Sequence, residues 1–136
     1  MTGDTVMKKV KLALPMVPDA EIEATKAAMA IAESMSMSPD RIDEVAAAVV
    51  EACINALEHS HSAEDVSVTF EVLGDQDPEK LRITVRDNGV GFSPEDVERP
   101  AKWPRGHGLK IIRGLMDEVD IRSGPGGTTL VMSKMR

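Results

Sequence analysis

The stretch VSVTFEVLGDQDPEKLRITVR, residues 66–86, constrains the fold more than any other. Val66 to Leu73 and Lys80 to Arg86 alternate apolar and polar residues with the period of a strand. Val66, Val68, Phe70 and Val72 fall on one face, and Leu81, Ile83 and Val85 on the matching face. The segment between them, Gly74 to Glu79, is rich in Gly, Asp and Pro and reads as a turn. Such a pair buries one side only, so it needs one covering layer.

The covering layer is sought upstream. SMSPD opens a helix, with Ser38 as N-cap, Pro39 in the first helical position and Asp40 in the positive first turn. Ile42, Val45, Ala46, Val49, Cys53 and Leu57 follow at helical spacing and form an apolar stripe. Asp19 to about Met35, rich in Ala and Glu, reads as a helix before it. Val10, Leu12 and Leu14 alternate with Lys9, Lys11 and Ala13, which makes Lys8 to Leu14 a first strand, ended by Pro15 and Pro18. Downstream, Ser93 to Asp96 starts a short helix, and Leu109, Ile112, Leu115 and Met116 mark another. Val119 to Arg122 and Thr128 to Ser133 are closing strands around GPGG. The expected fold is α/β: a two-layer sandwich in which a mixed sheet is covered on one face by helices. All of it, residues 1–136, is expected to form one domain.

Composition narrows the function. The net charge of −7 argues against a general nucleic-acid binder and against binding to an anionic membrane. No apolar run approaches the ~20 residues of a membrane span. The single cysteine, Cys53, excludes an internal disulfide and a thiolate zinc cluster, which fits a reducing cytoplasm. Cys53 lies in the apolar stripe and is expected to pack in the core.

Three segments carry chemistry. In EACINALEH, Glu51 and Asn55 stand one turn apart on a helix face roughly opposite the apolar stripe. A solvated face explains the glutamate. The asparagine is harder to explain, because its side chain competes with helical hydrogen bonds. Ala47, Ala48, Ala52 and Ala56 are small and leave room along the helix. An amide oxygen suits Mg²⁺, and a carboxylate one turn away can take a proton from a hydroxyl. In DNGVG, Asp87 ends a strand and Gly89 and Gly91 follow. Either this is a plain turn, or the carboxylate accepts from an exocyclic amine while the glycines admit a flat ring. In RGHGL, Gly106 and Gly108 precede a helix, where free backbone N–H groups favour a phosphate. The pattern fits neither GxxxxGK[ST] nor GxGxxG.

The order of these parts is more specific than any one of them: a helix with Glu and Asn, a strand ending DxGxG, GxG opening a helix, then GGTT into a last strand. From about Ser38 to Lys134 it resembles the GHKL ATPase superfamily with its Bergerat-type ATP-binding fold. Within that superfamily the wording EACINALEHS and GLKIIRGLMDEVDI is similar to the anti-sigma-factor serine/threonine kinases. The resemblance implies ATP and Mg²⁺ as cofactors. It implies Asp87 as the anchor of the adenine amino group, Gly89 and Gly91 as shapers of the base pocket, and Thr128 as the partner of Asp87. It implies Asn55 as Mg²⁺ ligand and Glu51 as general base. Gly106, His107, Gly108 and Leu109 match the motif that closes over the phosphates. Arg105 either meets the γ-phosphate or is an exposed surface arginine.

The expected activity is transfer of the ATP γ-phosphoryl group to a Ser or Thr of a small anti-anti-sigma-type antagonist. The same protein would sequester a sigma factor or similar regulator, and the resemblance suggests a homodimer. The alternative is a nucleotide-gated protein-binding regulator without useful kinase activity. A detached histidine-kinase catalytic domain is disfavoured, because the sequence shows no phosphoacceptor helical hairpin.

Overall fold

The computed structural model describes residues 5–59, 65–88, 108–124 and 126–136. Strand β1 spans Val6–Leu14, helix α1 Glu21–Ser34, helix α2 Pro39–His59, strand β2 Val66–Gly74, and strand β3 Pro78–Asp87. Helix α3 spans Gly108–Leu115, strand β4 Glu118–Gly124 and strand β5 Gly127–Met135. The short helix expected at Ser93 to Asp96 lies outside the described residues, as do Gly89, Gly91, Arg105, Gly106 and His107.

The five strands form one sheet in the order β1-β2-β3-β5-β4. Every pairing among the described strands is antiparallel, which corrects the expectation of a mixed sheet. The connections explain it. Two helices, α1 and α2, lie between β1 and β2, so the chain reverses direction three times and returns antiparallel beside its first strand. Among the described residues, helix α3 lies between β3 and β4, and these two strands do run the same way. They are not neighbours, because β5 turns back from β4 and inserts between them.

The helices cover one face. The inner residues Val66, Val68, Phe70, Leu81, Ile83 and Val85 are buried as the alternation predicts. Leu130 and Met132 of β5 join them, and from the helical layer Ala24, Ala28, Val45, Val49 and Cys53 pack against them. Burial of each large side chain contributes about 1.5–3 kcal/mol. The outer face carries polar pairs, such as Arg82 and Glu71 directly across from each other, with Nε to Oε1 at 3.0 Å.

Local signals place the helix ends. The Arg41 N–H donates to Ser38 Oγ at 3.3 Å, so Ser38 caps α2 as expected. Helix α1 ends in a Schellman turn: the Met37 N–H reaches Ala32 O and the Ser36 N–H reaches Glu33 O. Ser36 takes the left-handed conformation, φ 64°, that this turn requires. Among the described residues no helix is long and apolar enough to cross a membrane.

Candidate functional site

The register of β3 with β5 sets one end of the site. Asp87, the last residue of β3, stands opposite Thr128, and the Thr128 N–H donates to Asp87 Oδ1 at 3.3 Å. The neighbouring Gly127 has φ 122°, and a side chain there would collide with the Asp87 carbonyl. Only glycine fits this crossing. The Thr128 hydroxyl shares a 2.8 Å hydrogen bond with Ser123 Oγ on the edge strand β4. Asp87 is 6% exposed, so its carboxylate is placed at the end of a strand and largely withdrawn from water.

The helices build the other end. Asn55 is 8% exposed, so its face of α2, although roughly opposite the apolar stripe, is covered and is not a solvated face. The helix is covered on two sides: Val45, Val49 and Cys53 face the main core, while Ala48, Ala52, Asn55 and Ala56 are buried on the adjoining side. The small side chains let α3 come close there. Gly108, the first residue of α3, lies so near that a methyl group on it would fall 2.5 Å from Asn55 Nδ2. Asn55 Oδ1 is buried and has no hydrogen-bond partner among the described residues. Such an oxygen is costly unless something is bound to it. Glu51, one turn away, is partly buried.

The two ends face one partly open pocket of about 400 Å³, counting the solvent at its mouth. Its lining includes Asn55, Asp87, Leu109 and Thr128, so four of the residues singled out from the sequence come together here. Ala52, Ala56, Val85 and Ile112 add apolar walls, and Ile121 and Leu130 from the last two strands complete them. The sequence reading did not single out Ile121, Leu130 or the Ser123–Thr128 bond. The strand alternation in β4 and β5 carries that information, since Ile121, Ser123, Thr128 and Leu130 share the inner face. An apolar slot with a carboxylate at one end suits a flat base that carries an amino group.

Known proteins decide what the pocket belongs to. The model of the histidine kinase-like ATPase domain matches residues 14–134. The chain belongs to that family. A serine-protein kinase RsbW of Bacillus cereus strain Q1 is 31% identical over 114 residues, covering 74% of this chain and 69% of the relative. The RsbW of Bacillus thuringiensis strain Al Hakam is 33% identical over 112 residues, with the same coverage. Among solved structures, the RsbU and RsbW domains of a Mycobacterium tuberculosis protein superpose with a TM-score of 0.72 at 20% identity. That match covers 95% of this chain and 33% of the longer one, and it supports the fold. The resemblance drawn from the helix with Glu51 and Asn55 and from the glycine motifs is thus matched over most of the chain. Membership implies the use of ATP.

Proposed function

We propose that the protein is an ATP-dependent serine/threonine kinase that phosphorylates a small antagonist protein and sequesters a sigma factor or similar regulator. The observation that carries the site assignment is one pocket lined by both Asp87 and Asn55, with the Asn55 amide oxygen buried and without a hydrogen-bond partner among the described residues. The RsbW relatives supply the acceptor class, a serine.

In this reading the base lies between the Ala52–Ala56 side of α2 and the inner residues Val85 and Leu130. Asp87 accepts from its amino group, and the Thr128 N–H holds the carboxylate in place. The phosphates point towards Asn55 and the start of α3, where free N–H groups favour anions. Arg105, Gly106 and His107 precede that helix in the sequence and belong to the same proposed phosphate end, while Gly89 and Gly91 follow Asp87 at the base end.

The residues fit a magnesium ion. Mg²⁺ takes hard oxygen ligands and usually keeps waters and substrate phosphates, so one amide oxygen is a sufficient protein contribution. Among the described residues no cluster of three His, Cys, Asp or Glu offers a fuller cage. Asn55 would hold the ion through Oδ1, and the bound ion would neutralise phosphate charge. Glu51, one turn along α2, accepts the proton of the attacking hydroxyl. Positioning and charge neutralisation then account for most of the rate, as phosphoryl transfer requires.

The partners, a cytoplasmic location and a homodimer follow from the family resemblance and belong to the same proposal. The deciding experiment is recovery of partners from native lysate with and without Mg-ATP, then single-turnover transfer from labelled ATP to each. Phosphoserine or phosphothreonine on a captured small protein is expected. A protein that binds ATP and holds a partner yet transfers nothing would instead be a nucleotide-gated binding module.

A further inference from the structure

Lys134 is buried at 5% exposure, and it is the only lysine so deeply placed among the described residues. It sits on the inner face of β5, opposite Leu81. Its ammonium donates to the carbonyl of Leu115, the last residue of α3, at 2.5 Å. The same Nζ lies 3.4 Å from Glu44 Oε1 on α2. One cation therefore joins three elements at the C-terminal end of α3, where the helix dipole favours positive charge.

The other end of α3 is Gly108, packed on the Asn55 amide. The helix has eight residues, about 12 Å of length. A helix this short is marginal by itself, so its place depends on what holds its ends and its buried side, Leu109 and Ile112. Glu44 and Asn55 both belong to α2, so α3 lies antiparallel along α2, with the Lys134 tether at its C-terminal end and the close contact of Gly108 with Asn55 at the other. A shift at Leu115 is carried down a rigid strut to Gly108.

We infer that Lys134 is a positioning residue for the phosphate end of the pocket: it anchors the C-terminus of α3 and so sets where Gly108 stands against Asn55. The inference rests on the kinase reading above, and it assigns a role to a residue that touches neither nucleotide nor metal. Burying an ammonium carries a desolvation cost, and an apolar residue would serve core packing alone.

The test compares a ligand that fills only the base end with one that fills both ends. Adenosine is titrated by the amide shift of Thr128, and Mg-ATP by calorimetry with and without Mg²⁺. Lys134→Met is expected to weaken Mg-ATP binding about tenfold, a fraction of what a 1 Å misplacement of a site costs, with adenosine binding within about twofold of wild type. The gain in affinity on adding Mg²⁺ shrinks in the same variant. Glu44→Gln, at a partly exposed position, is expected to act in the same direction by about threefold, since it loosens the Lys134 tether. Equal losses for adenosine and Mg-ATP overturn the inference, because they report a general effect on the fold. No loss in either ligand overturns it as well. If Lys134→Met does not fold, the Mg-ATP to adenosine ratio in Glu44→Gln decides alone. A wild-type protein that binds adenosine but gains nothing from phosphates and Mg²⁺ removes the kinase reading itself, and the inference with it.

Discussion

The two ends of the pocket are built by different physics. The Asp87 end belongs to the sheet: strand register places the carboxylate opposite Thr128, and a backbone N–H holds it. The Asn55 end belongs to the helices: small residues on α2 let α3 approach, and the close fit of Gly108 fixes the amide. Register is a discrete property, since a slip of one residue turns every side chain to the other face. Helix packing against alanines and a glycine shifts by fractions of an ångström. The Asp87 end is therefore expected to be the firmer reference, and the Asn55 end the one more sensitive to small displacements.

The largest expected effect is at Glu51. Glu51→Gln keeps the shape and removes the base, so it should lower phosphoryl transfer by roughly 10²–10⁴ while ATP affinity stays within a few-fold. Single-turnover transfer to the captured antagonist measures it, and a wild-type rate in the variant would take Glu51 out of the mechanism. Partner capture should survive the change, because it needs surface and no proton transfer.

The next effect breaks the sheet end. Asp87→Asn should cost about 1–3 kcal/mol in ATP affinity, the penalty for a mispaired buried hydrogen bond. Adenosine should lose as much as Mg-ATP, because the contact is to the base. Equal ATP affinity for both proteins in calorimetry would move the base elsewhere.

Asn55→Ala sharpens the contrast from the helical end. The affinity for nucleotide should become nearly independent of Mg²⁺, while adenosine binding is retained. Asn55 is buried, so circular dichroism must first establish that the variant folds. A wild-type protein whose affinity ignores Mg²⁺ would leave the amide with a structural role alone.

The smallest effect lies on the other side of α2. Burial, and then the charge of Glu21, push the Cys53 thiol up to about 12 from an ordinary 9.0. The folded chain keeps this proton at a pH where the unfolded chain loses it. Its stability is thus fully present below about pH 9 and falls as the pH rises from there towards 12, by up to about 1.4 kcal/mol per pH unit. Urea midpoints between pH 8 and 10 should show this slope, and Cys53→Ala should flatten it without changing adenosine affinity at neutral pH.

The sequence made the base end more legible than the phosphate end, for the same reason that the two differ. Period-two alternation in β2 and β3 identifies inner residues directly, and the position of Asp87 at the end of Leu81, Ile83 and Val85 follows from counting. The α2 stripe was equally clear. What counting does not reveal is that α2 is covered twice, because a single apolar stripe reads as a single buried side. Ala48, Ala52 and Ala56 carry weak hydrophobic signal, and their burial depends on α3, a helix far along the chain. The sheet pairing was missed for a related reason. Alternation gives strands and faces but no direction, and the insertion of β5 between β3 and β4 is a property of the whole topology. The role of Lys134 was not legible, because it depends on Leu115 and Glu44, which only the fold brings around it.

That insertion also makes the Asp87 end of the pocket depend on β5, which follows β4 in the chain. A ribosome delivers β3, α3 and β4 before β5, and synthesis proceeds from the N-terminus. Until the β5 segment emerges, β3 lacks its neighbour, Thr128 is absent and the gap beside Val85 exposes apolar surface. The nascent chain can therefore assemble β1, β2, β3 and the first two helices and still be unable to hold a base. The Asp87 end is therefore expected to hold a base only once β5 has paired with β3, because Thr128 meets Asp87 through that pairing.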